Sequence, residues 1–255
     1  MSRNPLLVLI LLCAAFGANA TPQEFREIQG MRISAAGFCG VLMTNYNHIR
    51  SASQQRSADD YRQYLDALNT SYEQSGLTVG IDELKKLNAL TEELEKLPQL
   101  DGEMSSAMLA YPNMMTDIFK TQQQFDQALA GHLATVDQGG DVIRTIDDLR
   151  VDISSIMLLY SVSTFTGLAY LNEEDPDLAI LDAKIQEGLR MLDQEVPEEL
   201  HEQVRKVKSS YHFVQNKLVG LTRPWAPSAV AFFLMRAESQ LQELTRQVQG
   251  ANEGA

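Results

Sequence analysis

Residues 153–171 (ISSIMLLYSVSTFTGLAYL) run nineteen positions without a charge, fenced by Arg150 and Asp152 before them and by Glu173, Glu174 and Asp175 after. A chain carrying such a segment must bury it all round or place it in lipid. Its length just reaches that of a bilayer span. Against lipid stand the hydroxyl groups of Ser154, Ser155, Ser161, Ser163, Thr164 and Thr166, and the want of a basic cluster at either end to set an orientation. The segment is expected as a central helix, buried on nearly every face.

The N-terminus reads as a secretory signal over residues 1–20. Arg3 precedes an apolar core at residues 5–16, and Ala18-Asn19-Ala20 supplies a small-x-small cleavage site before Thr21. The mature chain then holds 20 basic and 34 acidic residues. That balance disfavours nucleic acid and anionic lipid as partners, because both demand cationic surface. Cys39 is the one cysteine beyond the signal, so no internal disulfide is available; it reads as a small buried hydrophobe, with an intermolecular bridge as the alternative. A secreted chain without internal disulfides points to a bacterial periplasm.

Helical periodicity covers nearly all the rest, and apolar alternation of the β type never persists. Pro98–Gly102, Gly139-Gly140, Asp175-Pro176 and Val196-Pro197 read as breaks between helices, and Tyr111-Pro112 reads as a kink or fresh start. The breaks repeat. Leu65-Asp66-Ala67 returns as Leu181-Asp182-Ala183, Asp82-Glu83-Leu84 as Glu198-Glu199-Leu200, Pro112 as Pro227, and Ile33-Ser34 as Ile153-Ser154, at offsets between 115 and 120. An internal duplication follows, with one bundle over residues 21–138, a second over 139–250 and a disordered tail at 251–255. The fold class is all-α: tandem four-helix bundles, eight helices in all. The long first helix of each unit should be its most buried member.

Metal-binding HExxH, the GxSxG elbow, the Walker loop, GxGxxG and CxxC do not occur. The four histidines show no i, i+4 pairing, and the many carboxylates gather at helix starts, where the helix dipole favours them. No enzyme and no cofactor is therefore expected. Arg32 and Arg150 each stand at the edge of an uncharged helix, one per unit, and are candidates to hold a small anionic ligand bidentately or to pair with a local acid such as Glu27 or Asp147. Pro224, Trp225 and Pro227 form a stiff turn that could anchor a protein partner. Met104, Met108, Met114 and Met115 offer soft thioethers to Cu(I), or else fill core around Pro112.

Ile28-Gln29-Gly30-Met31-Arg32-Ile33-Ser34, opening a long helix in a unit of about 115 residues, resembles the start of the pilus-type chemotaxis transducer sensor domain, a family that includes the sensing bundles of nitrate-responsive histidine kinases. The resemblance implies a four-helix sensing bundle with Arg32 as the ligand contact. Gly30 and Arg32 stand a residue closer than in the family's motif, and the second unit lacks the motif. The functional expectation is a non-enzymatic periplasmic module that senses a ligand, or acts as an accessory, and docks on a membrane-bound or pilus-type partner. The alternatives are an assembly factor that binds a partner through a bundle end, and a Cu(I) carrier. A cavity beside Arg32 would mark sensing; an exposed apolar patch by Pro227 would mark docking.

Overall fold

The computed structural model describes residues 22–47, 59–97, 107–134, 142–164, 178–219 and 226–253. The expected signal, the Gly139-Gly140 boundary, the Asp175-Pro176 cap and residues 165–171 of the uncharged segment lie outside them. The described residues are helical apart from short turns and helix ends: α1 (Pro22–Asn47), α2 (Asp59–Ser75), α3 (Ile81–Glu95), α4 (Ala107–Leu133), α5 (Val142–Thr164), α6 (Leu178–Glu195), a 3₁₀ turn (Glu198–Leu200), α7 (His201–Val219) and α8 (Pro227–Glu253).

Two sets of four helices close on themselves. In the first, α1 packs on α2 and α4, and α3 on α4; in the second, α5 packs on α6 and α8, and α7 on both of those. Side chains join α2 to α3, where Asn69 and Asn88 exchange hydrogen bonds at 2.9 Å. The two bundles are fused, because α1 and α5 pack along their length. The seam is parallel. Gln29 Nε2 donates to Asp148 Oδ1 at 2.7 Å, Gly40 lies against Leu158, and the Thr44 and Ser161 hydroxyls meet at 3.2 Å. The hydrogen-bonded residues that meet are 119 and 117 apart in the chain, within the offsets of 115 to 120 at which the sequence segments recur.

Burial explains the seam. Phe38, Cys39, Leu42 and Met43 on α1 are fully enclosed, as are Ile146 and Ile156 on α5, with Ile153 and Tyr160 nearly so. Three hydroxyls of the uncharged segment bond within the helix: Ser161 Oγ donates to the Met157 carbonyl at 2.9 Å, Ser163 Oγ to that of Tyr160 at 2.9 Å, and Thr164 Oγ1 to that of Tyr160 at 3.0 Å. Apolar cover is thereby possible at these three positions without an orphaned hydroxyl. Among the described residues no helix is long and apolar enough to cross a membrane.

Two local expectations differ. Pro112 does not break α4, which starts at Ala107 and passes through it. Only five residues of the helix precede this proline, so the carbonyl it leaves without an amide partner belongs to the opening turn. Its repeat counterpart Pro227 opens α8 instead, at the position where proline's missing N–H costs nothing. α8 also runs on to Glu253, into the stretch expected as a disordered tail. Between α2 and α3 the chain turns on Gly76 (φ 67°) and Gly80 (φ 82°), both in the left-handed region; the Phe125 ring lies 2.9 Å from where a Gly80 Cβ would stand.

Candidate functional site

Arg32 and Arg150 occupy equivalent places, 118 residues apart, on the central helices of the two bundles. Arg32 Nε and Nη2 donate to the two oxygens of Asp126 on α4, at 2.7 and 3.1 Å, while Nη1 reaches Gln29 Oε1 at 3.0 Å. Arg150 Nε and Nη2 donate to Glu238 Oε1 on α8, at 2.9 and 2.7 Å, while Nη1 reaches Asp147 Oδ1 at 3.2 Å. Each guanidinium thus ties the first helix of its bundle to the fourth and holds the residue three places before it. An anion reaching either fork would have to displace a carboxylate. The acid that sequence proximity suggested for Arg150, Asp147, is its partner; for Arg32 the partner is Asp126, and Glu27 takes a hydrogen bond from Gln23 instead.

The cavity that would accompany a ligand is small. A depression lined by Ile33, Gly37, Tyr64, Met157, Leu234 and Glu238 has room for about one water molecule. It borders Glu238 rather than Arg32. Met115 is fully enclosed in the core and Met114 is half-buried against it; Met104 and the side chain of Met108 lie outside the described residues. Among the described residues no group of three His, Cys, Asp or Glu side chains is placed to hold a metal ion. Cys39 is enclosed, and burial pushes its thiol far above the ordinary range, so the buried-hydrophobe reading describes its surroundings.

The surface carries the more informative feature. Phe213 on α7 is 61% exposed and Phe232 on α8 is 56% exposed, in a chain whose other described phenylalanines are buried or partly so. Phe233 links them: its ring centroid lies 4.1 Å from that of Phe213 at an interplanar angle of 31°, and 5.2 Å from that of Phe232 at 90°. Three rings thus form one continuous apolar surface across two adjacent helices. Pro227, one of the expected partner contacts, is buried at the N-terminal end of α8; Pro224 and Trp225 lie outside the described residues. The exposed ring of Phe232 lies about a turn beyond Pro227 on α8, and that of Phe213 on the neighbouring α7.

A sequence signal for this face exists in the charges. From residue 203 to residue 237 there is no Asp or Glu, while Arg205, Lys206, Lys208, Lys217, Arg223 and Arg236 fall within the run. All 34 acidic residues and the other 15 basic ones lie outside it. The net charge conceals this local reversal. Comparison with family models, with curated proteins and with solved structures returns no match for this chain.

Proposed function

We propose that this chain is an exported, non-enzymatic accessory module that docks on a protein partner, membrane-bound or pilus-type, through the aromatic face of α7 and α8. One observation carries the reading: Phe213 and Phe232 stand more than half exposed and share a ring surface through Phe233. Leaving an apolar side chain in water forgoes about 1.5–3 kcal/mol of burial. Such clusters recur where a partner supplies the missing cover. Export is supported by Arg3, the apolar run at residues 5–16 and Ala18-Asn19-Ala20. Ligand sensing at Arg32 has less support, since that guanidinium is already forked onto Asp126.

The test is photocross-linking in the cell envelope. p-Benzoylphenylalanine replaces Asn216, exposed and one turn from Phe213, in the full-length chain; the same residue at exposed Glu92 of α3 serves as control. The reading expects protein adducts from position 216 and none from position 92. The added pair Phe213→Ser and Phe232→Ser should abolish the adducts with at most a small fall in melting temperature, because both rings are more than half exposed and lose only their contact with Phe233. Adducts that persist undiminished in that double variant would refute the docking face.

A further inference from the structure

The rim of the aromatic face is cationic. Phe213 has Lys217 four residues after it and Lys206 seven before it, which places all three on one stripe of α7. Phe232 has Arg236 four residues on, on the same stripe of α8. Arg205 and Lys208, on neighbouring faces of α7, are already paired with Glu202 and with Asp193, the latter at 2.8 Å. Lys206, Lys217 and Arg236 make no ion pair among the described residues. Three cations with no ion pair among the described residues therefore share helix stripes with the clustered rings, and the sequence brings no carboxylate between residues 203 and 237 to neutralise them.

Resting on the docking reading above, we propose that the partner presents an acidic segment here: an apolar centre that covers Phe213, Phe232 and Phe233, flanked by carboxylates that meet Lys206, Lys217 and Arg236. Lys206 and Lys217 are about 16 Å apart along α7 at 1.5 Å per residue, a length that some three turns of a partner helix would cover. Charge complementarity sets the choice of partner. The rest of the chain is strongly acidic and would repel another acidic surface, so the cation-rimmed face is the place where an acidic partner meets attraction and finds its register. A lipid surface fits less well. Juxtamembrane basic clusters that hold anionic lipid carry about four to eight cations, at about 1 kcal/mol each, and three fall short of that.

The experiment uses the full-length chain with p-benzoylphenylalanine at position 216, in the envelope, and adds Lys206→Glu, Lys217→Glu and Arg236→Glu together. Because none of the three is paired, the melting temperature should hold, and a circular-dichroism melt confirms that the variant is folded. The expected result is an adduct yield at least about tenfold lower, the factor that 1.4 kcal/mol produces. A Gln triple at the same positions should fall in between. Mass spectrometry of the wild-type adduct should return a partner peptide with several carboxylates around an apolar core. Undiminished yield in the Glu triple, or a neutral or basic partner peptide, overturns the acidic partner while leaving docking intact, provided Phe213→Ser with Phe232→Ser still abolishes the adduct. Sedimentation of the purified chain with phosphatidylglycerol vesicles, lost in the Glu triple, would instead assign the face to lipid and overturn the protein partner.

Discussion

Asp147 sits near the start of α5, 2% exposed, with one carboxylate oxygen held by Arg150 and the other without a hydrogen-bond partner. Burial pushes its pKa up to about 6, although Arg150 and, from α1, Arg26 pull it down; Asp148 adds to the rise. Glu238 on α8 competes for the same arginine. A carboxyl group with a folded pKa above its unfolded one keeps a proton that the unfolded chain has released. Between about pH 4 and pH 6 its contribution to stability therefore falls as pH rises, by at most about 3 kcal/mol. Asp147→Asn should remove that fall and raise the melting temperature at pH 7.5 relative to wild type, with little change at pH 4. Thermal melts across that range decide it, and a wild-type slope that survives in the variant would assign the titration elsewhere. Arg150 as an edge cation near Asp147 could be read from sequence. Glu238 and Asp126 could not, since they lie 88 and 94 residues from the arginines they bind.

α1 and α5 show what periodicity can and cannot give at the scale of the element. Their uncharged runs announced burial, and both are the interior helices of their bundles. That they would pack against each other, parallel and with repeat-related residues in contact, follows from no local pattern. Glycine marks the closest approach. A Cβ at Gly40 would meet Met157 Cε at 3.2 Å and the Leu158 backbone at 3.5 Å, whereas one at Gly30 would meet nothing within 4 Å. Gly30→Ala should raise stability by about 1 kcal/mol through helix propensity alone. Gly40→Leu should lower it by at least about 2 kcal/mol, because the added atoms must push α1 and α5 apart. Urea denaturation of the two variants should move the midpoint in opposite directions, and equal effects would mean that the seam is looser than described. The exposure of Phe213 and Phe232 is hidden in sequence for a related reason. Each adjoins residues that do face the core, Val214 and Tyr211 beside one and Ala231 beside the other, so an apolar run conceals which member points outward.

The molecule as a whole is two bundles that share one seam, with acid spread over most of the chain and withheld from the stretch between Glu202 in α7 and Glu238 in α8. Because α1 is covered by α5 along the seam, residues 21–138 expressed alone should cover their exposed α1 face by pairing with a second copy. Analytical ultracentrifugation should find that fragment dimeric and the full mature chain able to unfold in one transition; a stable monomeric fragment would show that the bundles do not depend on each other. The all-helical class was legible because it is local, as was the break at Val196-Pro197, whereas Pro112 shows that a proline in an opening turn does not end a helix. The face proposed for docking has its charge signature in the sequence, but the exposure of its rings is not legible there. The most direct measurement of that face is hydroxyl-radical footprinting of the full-length protein, once purified and once in intact envelopes. Oxidation of Phe213 and Phe232 should fall several-fold in envelopes, while Ile180 and Met191, also exposed on α6, stay unchanged. Equal oxidation of Phe213 and Phe232 in both preparations would mean that nothing covers the face, and the account of this protein as a docking module would be contradicted.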